Sequence, residues 1–139
     1  MKKRIKFLNK RMILVINRMA VELSGGTALA GNNVRQGLSL GFVEQIHNNE
    51  VFGIAIYPDI FHQAAAYMFY IIKNHLFTDG NKRTGFATAI TFLGINDVIF
   101  APLNEGKVFD YVSGVASGEN SPETIIPQIA QWLKIMSLS

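Results

Sequence analysis

Apolar residues recur along most of this chain at the three- and four-residue spacing of helices that bury one face. The spacing predicts helices over residues 7–23, 38–47, 58–75, 82–95, 104–116 and from 121 onward. Pro127 interrupts the last pattern, so the final helix either kinks or begins there, which gives six or seven helices. Residues 51–57 are an exception, because their β-branched and aromatic side chains favour an extended segment or a small hairpin.

Residues that favour helix ends stand at several of these boundaries. Pro58 suits the first turn of the third helix, and Asp59 suits the positive end of its dipole. Asn104 can cap the fifth helix, and Ser121 followed by Pro122 can open the sixth. No internal repeat or linker divides the pattern, so we predict one all-α domain over residues 1–139.

The composition excludes several classes of protein. Hydrophobic residues make up 49% of the chain, which rules out a disordered protein. The absence of cysteine rules out disulfides, Cys-based zinc sites and thiol chemistry. The apolar runs are far short of the roughly 20 residues that cross a membrane, and the run at 12–16 is too short for a signal peptide. We therefore expect a cytoplasmic protein with no membrane partner.

The formal net charge of +3 is unevenly distributed. Residues 1–18 carry seven Lys and Arg and no acid, whereas the rest of the chain carries six bases and all ten acids. The basic character therefore belongs to one end of the chain, where residues 1–11 form a basic N-terminal arm. A catalytically silent module that binds nucleic acid through this arm is one alternative, although the mildly acidic body argues against nucleic acid as a partner.

Two further sequence features do not predict a functional site. The segment Gly26–Gly31 has the glycine spacing of a P-loop, but Asn32 and Asn33 stand where Lys and Ser or Thr are required. His47 and His62 lack neighbours at metal-ligand spacing, so we interpret them as structural or surface residues.

A predicted turn between two apolar helices carries the sequence His75-Leu-Phe-Thr-Asp-Gly-Asn-Lys-Arg-Thr84. The helix that follows presents unpaired backbone N–H groups and the positive end of its dipole to this turn. Gly80 allows the backbone to approach a ligand closely. Lys82 and Arg83 place two cations where a helix normally prefers acids. This mismatch predicts that an anion binds at the turn.

Asp79 and His75 supply the other groups that a transfer reaction needs. Asp79 offers a hard oxygen ligand for Mg²⁺ on a phosphate chain. His75 can accept a proton near neutral pH. Together these groups predict phosphoryl or nucleotidyl transfer, and the alternative is an ordinary helix connection that uses Asp-Gly-Asn as its turn.

The stretch resembles the central motif of the Fic/Doc superfamily, His-Pro-Phe-x-Asp/Glu-Gly-Asn-Gly-Arg-x-x-Arg. Leu76, Lys82 and Phe86 replace the Pro, the second Gly and the last Arg of that motif. These departures resemble the Doc (death-on-curing) branch, which carries His-x-Phe-x-Asp-x-Asn-Lys-Arg-Thr. Weaker similarity to that branch lies at residues 24–26 and 34–38.

The resemblance implies an all-α Fic fold, a bundle of six or seven helices whose flap, near residues 51–57, positions the target protein. It also implies ATP and Mg²⁺ as cofactors. The roles it implies are general base for His75, Mg²⁺ binding for Asp79, phosphate binding for Gly80, Asn81, Lys82 and Arg83, and structural anchoring of the loop for Phe77.

Two reactions are compatible with this resemblance. Doc proteins of this pattern transfer the γ-phosphate of ATP to a threonine of elongation factor Tu and so inhibit translation, whereas most Fic proteins transfer AMP. The change to Lys82 favours the kinase, with protein adenylylation as the alternative. No glutamate of this chain is preceded by Ser or Thr four residues earlier, as it is in the inhibitory helix of many Fic enzymes. This absence favours a toxin that a separate, Phd-like antitoxin restrains.

Overall fold

A computed structural model of the chain describes residues 4–23 and 33–138. Within these ranges the chain forms six helices and one antiparallel hairpin of two short strands, which confirms the all-α class. In chain order the elements are α1 (Lys10–Leu23), α2 (Phe42–His47), β1 (Glu50–Val51), β2 (Ile54–Ala55), α3 (Ile60–Lys73), α4 (Asn81–Ile95), α5 (Glu105–Ser117) and α6 (Pro122–Met136). The glycine-rich segment 24–32, including the P-loop-like spacing, lies outside the described residues.

Helix α3 lies at the centre of the bundle. Its sequence is apolar on nearly every side, and residues 63–69 are all buried. It packs mainly against α4 and α6 and also contacts α2 and α5, whereas α1 packs against α4. Gly85 of α4 allows the close approach of α3, because a Cβ there would lie 2.8 Å from Cγ1 of Ile72. This contact fixes the two helices whose connection contains the predicted site.

The helix starts agree with the sequence in part. Asn104 caps α5 as predicted, since its side chain accepts a hydrogen bond from the backbone N–H of Lys107 at 3.0 Å. Asp59 is the N-cap of α3 and accepts from the N–H of His62 at 2.9 Å. Pro58 therefore precedes the cap, and its predicted position in the first turn is wrong.

Helix α6 runs without a break through Pro127, so the alternative start at that residue is wrong. The buried face of α6 continues on both sides of the proline, with Ile125 and Ile126 before it and Ile129 after it. Burial of this continuous face outweighs the one backbone hydrogen bond that the proline cannot make. Pro127 itself is exposed.

The described part of the basic N-terminal segment lies against the body of the protein. The backbone N–H and C=O of Lys6 each bond to the side-chain amide of Asn96 at 2.9 Å. The carbonyl of Leu8 accepts from the hydroxyl of Tyr67 at 3.4 Å and lies 3.1 Å from Nε2 of His47. Residues 6–9 thus form a strap that leads into α1, and His47 has a structural contact, as expected.

Among residues 4–23 and 33–138, no helix is both long and apolar enough to span a bilayer.

Candidate active site

The connection between α3 and α4, residues 74–80, borders an open cleft of about 1200 Å³. We call residues 74–80 the motif loop. One side of the cleft is formed by this loop and the first turns of α4, and the other by residues 100–103 and α5. Lys73 connects the end of α3 to the end of α5, because its ammonium donates to the carbonyls of Ala116 and Gly118.

His75 occupies a left-handed backbone position directly after α3, with φ of 45°. Its N–H donates to the carbonyl of Ile72 at 3.2 Å, and the N–H of Leu76 reaches the carbonyl of Ile71 at 3.4 Å. This pair of bonds is the Schellman motif, in which glycine is the usual residue at the left-handed position. A histidine there costs about 1 kcal/mol or more of backbone strain, which is typical of functional residues.

The backbone of His75 is also held from a second direction. The guanidinium of Arg35 donates to the His75 carbonyl at 3.2 Å. The Arg35 N–H donates to the carbonyl of Leu76 at 2.9 Å, and the N–H of Thr78 donates to the carbonyl of Asn33 at 2.8 Å. The exposed imidazole therefore projects from a fixed backbone at the edge of the cleft.

Phe77 and Asn81 fix the middle of the motif loop. Phe77 is 1% exposed, and its anchoring role stays a prediction. The side chain of Asn81 accepts from the N–H of Phe77 and donates to its carbonyl, both at 2.8 Å. Both ends of the Asn81 amide are thereby occupied, so in this structure the side chain orients the loop. Phosphate binding by Asn81 stays a prediction.

Asn17 is a residue of this site that the sequence reasoning missed. It lies on α1 and is 1% exposed. Its Nδ2 donates to the carbonyl of Asp79 and to Oγ1 of Thr84, and its Oδ1 accepts from Nδ2 of Asn33, all at 3.0 Å. Among the residues that α1 buries, which include Ile13, it is the polar one. That signal is visible in the sequence, because Asn17 follows Ile13 by one helical turn.

Gly80 brings the motif loop to the start of α4. Its φ of 76° is left-handed, and a Cβ there would lie 3.1 Å from a methyl of Val21. No side chain caps α4, so the N–H groups of its first turn border the cleft without an intrahelical acceptor. Lys82 and Arg83 are exposed in this turn, and within the described part of the chain neither forms a salt bridge. The start of α4 therefore carries two exposed positive charges that no acidic side chain of the described residues pairs with, as the sequence predicts.

Asp79 is the carboxylate that the motif loop offers to a cation. It is exposed, lines the cleft and accepts one hydrogen bond, from the N–H of Gly80 to Oδ1 at 2.8 Å. Across the described residues, no group of three or more His, Cys, Asp or Glu side chains could hold a metal. A single exposed carboxylate fits Mg²⁺ if a phosphate chain binds at the start of α4, because Mg²⁺ keeps several waters and is commonly bound through one carboxylate and the substrate phosphates.

The far side of the cleft is largely apolar, and the sequence reasoning did not identify it. It includes residues 100–103 together with Val108, Phe109 and Val112 of α5. Phe86 of α4 also lines the cleft and packs against Trp132, with ring centroids 5.8 Å apart. An apolar wall facing a cationic one suits a ligand that has an aromatic end and an anionic end.

The structure brings the predicted chemical groups to one surface. His75, Asp79, Gly80, Asn81, Lys82 and Arg83 all line the cleft, whereas Phe77 is buried and is not part of the lining. The other two histidines are elsewhere: His47 contacts the strap, and His62 pairs with the carboxylate of Asp59 at 2.9 Å.

Comparison with known proteins supports the resemblance to the Fic/Doc superfamily. A family model described as "Fic/DOC family" matches residues 7–93, a span that ends within α4. The protein named "Toxin Doc" of Mycolicibacterium smegmatis is 36% identical over 81 residues. That alignment covers 58% of this chain and 62% of the relative, so the chain matches less than two thirds of that protein's length.

Proposed function

Because the chain belongs to the Fic/DOC family, in its Doc branch, we propose that it is a toxin that transfers the γ-phosphate of ATP to a protein hydroxyl. The acceptor we propose is a threonine of a translation factor such as elongation factor Tu, so that transfer inhibits translation. The observation that carries the proposal is His75, fixed in a left-handed conformation at the edge of a cleft that Lys82, Arg83 and the uncapped start of α4 also line.

His75 serves as the general base. The acceptor oxygen attacks the γ-phosphorus while the bond from that phosphorus to the β-γ bridging oxygen breaks, and ADP leaves. The hydroxyl proton passes to the imidazole. The His75 N–H donates to the carbonyl of Ile72, and the His75 carbonyl accepts from Arg35. Because these bonds hold the His75 backbone, the ring needs little reorganisation to meet the acceptor.

The first turn of α4 binds the phosphate chain. Its uncapped N–H groups, with Lys82 and Arg83, stabilise negative charge that moves toward the leaving group. Asp79 would hold Mg²⁺, which would supply further charge neutralisation on the phosphates. Phosphoryl transfer needs positioning and charge stabilisation more than covalent chemistry, which suits the groups present.

Two observations favour γ-phosphate transfer over AMP transfer. Phe86 stands where the family motif has its last Arg and packs against Trp132, so no cation extends from that position. Lys82 replaces a glycine, and its long side chain crosses the cleft toward Phe109. The phosphate site that we propose therefore lacks the space and the arginine with which an AMP-transferring Fic site would hold the α-phosphate.

The test uses ATP labelled at either the α- or the γ-phosphate, with elongation factor Tu as acceptor. We expect γ-label on the acceptor and none from α-labelled ATP, whereas transfer of the α-label alone would establish adenylylation. His75→Ala should abolish transfer, and His62→Ala should not, because His62 lies outside the cleft. Full activity of a folded His75→Ala variant would contradict the general-base role.

We also propose an antitoxin as the protein partner, supported by the relationship to a protein named "Toxin Doc". Its docking surface is the stripe of Met12, Val15, Met19 and Leu23 on α1, whose side chains are between 45% and 78% exposed. Arg11 lies one residue from this stripe, so the partner that we propose is an amphipathic helix with acidic residues beside its apolar face.

Growth assays test this partner. A small reading frame beside the gene should relieve toxicity when it is expressed with the wild-type chain. Met19→Glu should remain toxic and escape relief, because the new carboxylate would repel an acidic helix. Equal relief of both chains would exclude the α1 surface.

The nucleic-acid alternative has less support from the structure. Lys10 pairs with Glu44 at 2.6 Å, and Arg18 pairs with Glu22 at 3.4 Å, which lowers the net positive charge of the N-terminal region. Steeply salt-dependent binding of DNA or RNA that is lost on deletion of residues 1–11 would revive this alternative.

A further inference from the structure

The ammonium of Lys82 lies over the ring of Phe109, 5.4 Å from its centroid. Lys82 belongs to the first turn of α4 and Phe109 to α5, so this contact joins the two walls of the cleft. Helix α5 lies beyond residues 7–93, the span that the family model matches. The contact is therefore a feature of this chain that the family comparison does not assign.

Phe109 is placed where an apolar side chain gains little from burial. It is 63% exposed although it belongs to a helix whose core side is formed by Val112 and Val115. An aromatic ring in this position presents a face of negative potential to the cleft, and an ammonium within about 6 Å is attracted to that face. The exposed ring is thus explained by the cation above it.

The ring also determines where the Lys82 charge lies. Glu105 precedes Phe109 by one turn of α5, lines the same cleft and forms no salt bridge with Lys82. Without the ring, the flexible lysine side chain could sample many rotamers or pair with this carboxylate, which would remove its charge from a bound anion. With the ring, the ammonium stays at the wall of the cleft and keeps N–H donors free for a ligand.

We propose that Phe109 is a positioning residue that holds the Lys82 ammonium ready for the phosphate chain of the nucleotide. The inference rests on the proposed function in one respect, namely that the cleft binds a phosphate chain. Since an exposed cation–π contact is weak, removing the ring should lower phosphate-chain affinity by about two- to fivefold.

A double-mutant cycle with inorganic tripolyphosphate, measured by calorimetry, tests this role. Phe109→Leu should weaken binding to the otherwise wild-type chain and have no effect in a Lys82→Met background, whereas Phe109→Tyr should retain wild-type affinity. Lys107→Met is the matched control, because it removes a lysine of α5 that does not line the cleft. An equal loss in both backgrounds would mean that Phe109 contacts the ligand directly, and no loss would mean that it has no role. Either result overturns the proposal.

A second measurement examines the contact without any ligand. The ε-methylene protons of Lys82 should show an upfield NMR shift from the Phe109 ring current, and this shift should disappear in Phe109→Leu. A shift that is absent from the wild-type chain would overturn the proposal. If wild-type protein shows the shift but does not bind tripolyphosphate, the proposed function fails, and with it the role of Phe109, although the contact stands.

Discussion

Replacing Asn17 with leucine tests whether α1 holds the motif loop in place. Asn17→Leu keeps the branched shape of the side chain at Cγ but removes its amide, and leucine has the higher helix propensity. Three buried or part-buried partners would lose their hydrogen bonds: the carbonyl of Asp79, the hydroxyl of Thr84 and the side-chain amide of Asn33. Thr84 and Asn33 are 0% and 5% exposed, so water cannot readily replace Asn17.

The expected cost follows from the three hydrogen bonds that the substitution removes. A buried hydrogen bond that is lost without replacement costs about 1–3 kcal/mol. The Thr84 hydroxyl can turn toward a carbonyl of its own helix, so we take the lower end for all three bonds, about 3 kcal/mol in total. For a domain of this size that corresponds to a fall in melting temperature of about 10 °C.

Thermal unfolding and calorimetric binding of ATP, measured on the same samples, separate stability from site geometry. Ile13→Ala is the matched control, because it creates a cavity on the same face of α1 and should cost about 2–5 kcal/mol. Both variants should be destabilised, but only Asn17→Leu should weaken nucleotide binding, since only Asn17 bonds to the loop. Wild-type stability of Asn17→Leu, or equal nucleotide affinity of the two variants, would refute the reasoning.

Three further changes test other parts of the fold and site. Gly80→Ala should weaken tripolyphosphate binding and cost more than about 1 kcal/mol of stability, because φ is 76° and the new methyl would lie 3.1 Å from α1; wild-type affinity in calorimetry would contradict this. Asn81→Leu should lower stability by about 2 kcal/mol and speed amide exchange at Phe77, whose N–H and C=O both lose partners; unchanged exchange would show that the pair does not hold the loop. Asp59→Ala should cost about 1 kcal/mol near pH 7, because it removes the cap of α3. Burial raises the pKa of Asp59, but the hydrogen bonds from His62 lower it by a larger amount, so the pKa in the folded protein lies below the ordinary value of 3.8. The cap therefore stabilises the fold fully above that ordinary value, and this stabilisation is lost as the pH falls through the lowered pKa. The stability difference between wild type and Asp59→Ala in urea should therefore shrink as the pH falls below about 4, and a constant difference would contradict this assignment.

Much of the site was predictable because its determinants are local in sequence. The turn residues Asp79 and Gly80 and the two cations that follow them predict a helix start that binds an anion, and all of these residues line the cleft. The helix periods were equally informative, since α3 and α4 are long apolar segments that must be buried. The alternative start of α6 at Pro127 was wrong because it considered only the local tendency of proline to break a helix. It did not consider the buried face of α6, which continues on both sides of Pro127.

The remaining features depend on tertiary contacts that sequence spacing does not encode. A histidine in the left-handed position after α3 has no local signature, because glycine is the residue that normally marks such a helix end. The apolar wall formed by Phe109 and its neighbours lies on α5, which reaches the cleft through its packing against α3 and α4. Asn17 did have a signal, a polar residue in register with Ile13, but its partners on the loop could not be named from that register.

The contacts of Asn17 also bear on how a bound partner would act. Asn17 and Val21 lie on the buried face of α1, against the motif loop, whereas Met12, Val15 and Met19 on the same helix are exposed. A helix that docks on the exposed side can affect the cleft without entering it. Any shift of α1 would strain the hydrogen bond from Asn17 to the carbonyl of Asp79 in the motif loop. We therefore expect an antitoxin that docks on α1 to lower nucleotide affinity through the loop, and Asn17→Leu to reduce that coupling.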